Sequence, residues 1–184
     1  MRERVIPQLD AGEFLHWEAR QSGKFELHDG FVVSFAGGTF AHNRIVNNLR
    51  TALERAYPPP CGVFSSDIKV QAGTATFFYP DVGVVCEDVP DDATIVTTPV
   101  VVVEVLSETT RAFDVGEKRD VYRSISSLEF YVVVHTRSRR VEVDARRPGG
   151  TWSTSIVDAG SIAIGRSEIT IDEIYARTQI AATS

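Results

Sequence analysis

The stretch PVVVVEVL (residues 99–106) decides how the rest of the chain is read. Period-two alternation puts Val100, Val102, Glu104 and Leu106 on one face and Val101, Val103 and Val105 on the other. Both faces are apolar apart from a single carboxylate, so the stretch reads as a central strand covered on both sides. Glu104 has no basic residue beside it, and leaving it ionised and unpaired there costs several kcal/mol. It must be protonated, paired with a base, or bound to a cation. It stands near the C-terminal end of its strand, where sites in such sheets often open.

The next segment supplies a partner. In DVGEKRDVYR (114–123) the pair Asp114 and Glu117 has capping-box spacing and predicts a helix over about 115–126. Its inward stripe is then Val115, Lys118, Val121/Tyr122 and Ile125. Lys118 thus falls on the side facing the sheet, and a lysine is seldom buried without a partner. A second carboxylate, Asp81 in FYPDVGVVC, is placed near a strand start by Pro80. Two arrangements satisfy Glu104. One is a buried Glu104–Lys118 ion pair, with Asp81 an ordinary strand-end aspartate. The other is a hard-oxygen site in which Asp81 and Glu104 hold Mg²⁺ or Mn²⁺ and Lys118 attends the bound water or the charge of a scissile phosphate.

Working outward, DAGEFLHWEAR (10–20) predicts a short amphipathic helix. KFELHDGFVVSF is two alternating runs split by Asp29-Gly30, a two-residue hairpin signal. Thr39 is the N-cap of a helix running to about Tyr57, stopped by Pro58–Pro60. Its apolar stripe is Ile45, Val46, Leu49, Leu53 and Ala56, with His42 one turn earlier on the same inward face. Strands are expected near 62–71, 75–86, 99–106, 129–135, 139–146 and 151–157, with a short closing helix in EITIDEIYART. The order predicts an α+β (α/β-like) chain with a mixed central β-sheet flanked by helices. The 184 residues are expected to form one domain: an N-terminal helix and hairpin over 1–38, a core over 39–135, and C-terminal strands with a short helix over 136–184.

Composition is ordinary for a globular chain, 43% hydrophobic and 24% charged, with net charge −6. That acidity argues against a general nucleic-acid coating protein. TRSRRVEVDARR (136–147) is a local exception. Its arginines Arg137, Arg139 and Arg140, with Arg146 and Arg147, are either the edges of a solvated strand pair or a nucleic-acid contact. No window approaches the ~20 apolar residues of a membrane span, and the first residues lack the apolar core of a signal peptide. Cys61 and Cys86 form neither a disulfide framework nor a zinc pattern. A cytoplasmic protein with reduced cysteines and no membrane contact is expected. Phosphate-loop, zincin and nucleophile-elbow motifs are absent from the sequence. The pair Asp67/Lys69 in SSDIKV reads as alternation on an exposed strand face.

As a set, YPDVGVV (79–85), PVVVVEVLSETT (99–110), DVGEKRDVYR (114–123) and LEFYVVV (128–134) closely resemble the Uma2 (DUF820) family of bacterial endonuclease-like proteins. The resemblance extends back through HNRIVNNL (42–49) to FELHDGFVV (25–33). It implies the restriction-endonuclease-like PD-(D/E)xK fold, phosphodiester hydrolysis dependent on Mg²⁺ or Mn²⁺, and a DNA substrate. By motif, Pro80-Asp81 matches the PD element and Glu104 the acidic residue of (D/E)xK. Glu26 matches a hairpin glutamate and His42 the family's helix histidine. Each also has a plainer role, as an exposed strand residue and a core histidine respectively. Leu106 occupies the usual lysine position, and Lys118 resembles a replacement moved to the following helix. Ser107-Glu108-Thr109-Thr110 lacks the family's proline, and Phe31 stands where a glutamate is usual. A homodimer is expected by analogy with enzymes that cut both strands. The alternative, favoured by Leu106 and the acidic surface, is a catalytically inactive nucleic-acid-binding or assembly module of the same fold.

Overall fold

The computed structural model describes residues 4–6, 8–34, 38–106 and 116–181. Strand β1 (Arg4–Ile6) precedes helix α1 (Ala11–Glu18), which Asp10 opens with a full capping box to Glu13. Strands β2 (Phe25–His28) and β3 (Phe31–Ser34) form the expected hairpin. Its turn residues Asp29 and Gly30 both have positive φ, 45° and 83°. A type I′ turn requires this, and Asp-Gly supplies it at low cost. Helix α2 (Phe40–Ala56) starts where expected, with the Thr39 hydroxyl accepting from the His42 N–H. Ile45, Leu49, Ala52 and Leu53 are its buried face.

The two long strands expected near 62–71 and 75–86 are each broken in two. They yield β4 (Gly62–Ser65), β5 (Lys69–Gln71), β6 (Phe77–Phe78) and β7 (Val82–Val85). The breaks move the chain from one sheet to another. With β8 (Ile95–Val96), β5 and β6 belong to a six-stranded sheet ordered β1-β3-β2-β6-β5-β8. β4 and β7 instead edge a second six-stranded sheet, β12-β11-β10-β9-β7-β4. The crossing from β6 to β7 is Tyr79-Pro80-Asp81. Proline removes a ladder donor there, so pairing stops in one sheet before it resumes in the other.

The valine strand is β9 (Pro99–Leu106), at the middle of the second sheet. It pairs antiparallel with β7 and parallel with β10 (Phe130–His135). β11 (Val141–Arg146) and β12 (Trp152–Val157) complete that sheet antiparallel. Its two faces divide as alternation requires. Val101, Val103 and Val105 pack with Ile45, Leu49 and Leu53 of α2. Val102 and Leu106 pack instead with Tyr122, Ile125 and Leu128. Tyr122 belongs to helix α3 (Glu117–Ser124), which begins two residues later than expected, with Gly116 as its N-cap. Asp114, Val115 and the SETT segment 107–110 lie outside the described residues. A two-stranded β13 (Ser161–Ile164) and β14 (Ser167–Thr170) leads into the closing helix α4 (Ile171–Ile174). The chain is therefore mixed α+β.

One glycine is required by packing. A Cβ at Gly83 of β7 would lie 2.2 Å from the Phe64 ring, which covers that position from the neighbouring strand. One expectation is overturned: Cys61 and Cys86 are joined in a disulfide. The β4–β7 register pairs Gly62 with Val85 and so sets the two cysteines opposite each other one step further on. That register is a tertiary fact, invisible in two isolated cysteines.

Candidate active site

Glu104 is paired with a base. It lies 5% exposed on β9, and its Oε1 accepts from Lys118 Nζ at 3.1 Å and from the Tyr122 hydroxyl at 3.1 Å. Both donors come from α3, one turn apart, so a single helix face delivers them. Lys118 is 1% exposed and donates a second bond, 2.9 Å, to Glu26 Oε1. Glu26 is the inward residue of β2 in the other sheet. It is itself buried and also accepts the Tyr79 backbone N–H at 3.2 Å. The ammonium thus bridges carboxylates from the two sheets where they part. Burial, then the Glu104 and Glu26 charges, raise the Tyr122 phenol well above its usual value and keep it a donor.

Asp81 sits on the crossing between β6 and β7. The β7–β9 register runs Val82↔Val103 and Gly83↔Val102. Continued by one residue, it faces Asp81 with Glu104. Asp81 Oδ2 accepts the Val105 N–H at 2.7 Å, which fixes the carboxylate at the Glu104–Val105 peptide. His42, reaching down from the first turn of α2, approaches both Asp81 oxygens at 3.3 Å. Burial of the ring works against its proton, but Asp81 outweighs burial, and His42 titrates above the ordinary histidine value. Asp81 and His42 are the most open members, with side chains 19% and 17% exposed. A Cβ at Gly38 would come within 2.6 Å of the His42 ring, so a glycine backs the imidazole.

The structure therefore brings Glu26, His42, Asp81, Glu104 and Lys118 into one neighbourhood at the parting of the sheets. Neither plainer role holds in full, since Glu26 is buried rather than exposed and His42 bonds to Asp81. Leu106, 3% exposed, is core packed on the α3 side, so the lysine reaches Glu104 from the helix instead. The arginines are elsewhere and largely engaged. Arg139 donates to Asp172 at 2.5 Å and to the Ile180 carbonyl, and Arg140 to Glu142 at 3.3 Å. Arg146 holds the carbonyls of Arg123, Ile125 and Leu128. Arg137 is exposed.

Two charged groups escaped the sequence. Lys69, expected on an exposed face, is 9% exposed and ion-paired with Glu18 at 3.0 Å, while its sequence neighbour Asp67 bonds Lys24. On β11, Glu142 and the fully buried Asp144 face α3 and meet Arg119 at 2.7 and 3.0 Å, with Arg123 on Asp144 at 3.1 Å. The signal was present as Arg119 and Arg123 spaced i, i+4 opposite alternating Glu142 and Asp144. Nothing in such a pattern separates a buried ionic layer from a solvated one.

Mg²⁺ or Mn²⁺ takes hard oxygen donors, and Asp81 and Glu104 are of that type. Among the described residues no group of three or more His, Cys, Asp or Glu side chains is arranged to hold a metal ion. Mg²⁺ commonly uses one or two protein carboxylates and completes its shell with water and substrate phosphate. Asp81, partly open to solvent and bonded to the N–H of the residue after Glu104, and Glu104 itself are carboxylates of the kind that usage takes.

Comparison with known proteins gives the family. Residues 11–170 match the Uma2 family, described as "Putative restriction endonuclease". Two uncharacterized Synechocystis sp. proteins are similar. One, slr1290, is 34% identical over 150 residues, covering 80% of this chain and 79% of its own. The other, sll1609, is 33% identical over 143 residues, covering 73% and 78%. The fold matches a crystal structure titled a putative nuclease belonging to DUF820, from Anabaena variabilis, with TM-score 0.72 at 13% identity. That match covers 91% of this chain and 98% of the other. The chain belongs to the Uma2 family. Among the described residues no helix is long and apolar enough to cross a membrane.

Proposed function

We propose that this protein is an endonuclease that hydrolyses DNA phosphodiester bonds with Mg²⁺ or Mn²⁺ held by Asp81 and Glu104. The observation that carries this is a lysine ammonium drawn almost wholly out of water onto the central-strand glutamate, with an aspartate bonded to the backbone N–H of the next residue, Val105. When bound, the ion supplies a water of lowered pKa and neutralises charge on the scissile phosphate. Lys118 holds Glu104 and Glu26 in place, and its fixed positive charge favours the negative charge that builds on the phosphoryl oxygens. His42 orients the Asp81 carboxylate and keeps a proton next to it. Tyr122 fixes the remaining direction of Glu104. Arg137, Arg139 and Arg140 are the proposed phosphate contacts. Of the three, Arg137 is the exposed one. A two-fold homodimer would address both strands of a duplex.

One observation favours a second reading, a binding or assembly module without catalysis. Lys118 already pairs with both buried glutamates, as a purely structural ion-pair cluster also would. Cleavage separates the two. Purified protein is incubated with supercoiled, linear duplex and single-stranded DNA in Mg²⁺, Mn²⁺ or chelator, alongside Glu104→Gln. The nuclease reading expects metal-dependent nicking that Glu104→Gln abolishes. Nicking indifferent to that substitution removes Glu104 from the mechanism, and no cleavage with retained DNA binding supports the module.

A further inference from the structure

A second buried acid–lysine pair, Glu18 with Lys69, lies outside the site just described. Glu18 closes α1, and its Oε2 meets Lys69 Nζ of β5 at 3.0 Å. Both are nearly buried, at 8% and 9% exposed. Its other oxygen, Oε1, accepts the Tyr79 hydroxyl at 2.9 Å and the Phe25 backbone N–H at 3.2 Å. The Lys69 ammonium also lies 5.0 Å from the centre of the Tyr79 ring. Phe25 directly precedes Glu26, and the Tyr79 N–H is the backbone donor to Glu26 Oε1. One carboxylate therefore holds the Phe25 backbone and the Tyr79 side chain, the two residues whose chain segments set where Glu26, and with it Lys118, can stand.

We propose that Glu18, Lys69 and Tyr79 form a positioning relay that fixes Glu26 and thereby the Lys118 ammonium between the two sheets. A pair that served only general stability would be replaceable by apolar groups of similar size, with no consequence at Lys118. The geometry gives the pair a directed role. Lys69 neutralises Glu18, Glu18 orients the Tyr79 ring, and Tyr79 presents its N–H to Glu26 at the point where the chain leaves one sheet for the other. The functional consequence rests on the nuclease reading, but the structural one does not.

The test follows the side-chain ammonium of Lys118 by ¹⁵N NMR in the full-length protein, since a buried, ion-paired ammonium exchanges slowly with water. Tyr79→Phe removes only the hydroxyl that Glu18 holds, and Lys69→Met removes the neutralising charge but keeps the stem. Tyr175→Phe is the control, because it deletes another buried hydroxyl, one that braces the β10–β11 turn instead. The relay predicts that Tyr79→Phe and Lys69→Met shift the Lys118 resonance or lose it to fast exchange, and that Tyr175→Phe leaves it in place. If cleavage is established, the first two also lower kcat by about 10-fold or more at unchanged KM, as removal of groups behind a site does. A Lys118 resonance unmoved in folded Tyr79→Phe and Lys69→Met, or moved equally by Tyr175→Phe, overturns the relay. Absence of cleavage in wild type with the resonance shifts intact overturns the nuclease reading alone.

Discussion

Replacing Lys118 with methionine is the most informative perturbation of stability. The side chain is 2% exposed and lies 2.9 and 3.1 Å from glutamates that are 2% and 6% exposed. At an effective dielectric of about 20, each contact corresponds to roughly 5 kcal/mol of gross attraction. Most of that is offset by the desolvation of three charges. What a mutation measures is the cost of stranding two carboxylates with their cation gone. Lys118→Met should therefore lower unfolding free energy by about 3–5 kcal/mol, the usual cost of breaking a buried pair from one side. The triple variant Lys118→Met/Glu26→Gln/Glu104→Gln should recover most of the loss, because no unpaired charge remains buried. Urea titration at neutral pH, read by circular dichroism and tryptophan fluorescence, reports both. A single-variant loss below about 1 kcal/mol, the range of exposed ion pairs, refutes the burial argument. So does a triple variant less stable than the single one.

Three further outcomes follow. The raised His42 pKa means that its contribution is fully present below the unfolded-state value of 6.5 and lost as pH rises through the folded value. His42→Gln should accordingly destabilise more at pH 5.5 than at pH 8.5 in matched denaturant titrations, and an equal effect at both contradicts the Asp81 pairing. For Glu142, burial acts against ionisation, but Arg119 and His135 outweigh it and hold the pKa below 4.5. Its stabilisation is present above 4.5 and lost as pH falls through the folded value, so Glu142→Gln should flatten the acid limb of the stability curve; an unchanged limb removes Glu142 from it. The Cys61–Cys86 bond, with a sequence separation of 25, should contribute about 3–4 kcal/mol by loop closure. Thiol titration should find no free thiol in the native protein and two after reduction, with a lower denaturation midpoint; two thiols from the start would contradict the disulfide.

Local rules carried much of the fold. Asp29-Gly30 turned where its backbone preference required, Thr39 capped α2, and the valine run divided its faces between two cores as alternation demands. Glu104 and Lys118 could be paired from sequence because one strand and the next helix hold them close in order. What stayed hidden depended on distant register. Ser65–Lys69 looks like the interior of a long strand, and although Pro80 marks a strand start before β7, neither segment shows that it carries the chain between sheets; only the sheets' arrangement reveals it. Cys61 and Cys86 meet through that same β4–β7 register. Lys69, Glu142 and Asp144 obey period-two alternation on faces that polarity marks as solvent. Their burial depends on α1 and α3 bringing Glu18, Arg119 and Arg123 over them.

The proposed function places a divalent ion between Asp81 and Glu104. Diffraction from crystals soaked in Mn²⁺, collected at a wavelength where manganese scatters anomalously, tests it most directly. An anomalous peak within coordination distance of both carboxylates, lost in Asp81→Asn, is the expected result. Crystals whose anomalous maps show manganese only at surface carboxylates, with the Glu26–Lys118–Glu104 bridge undisturbed, would contradict it.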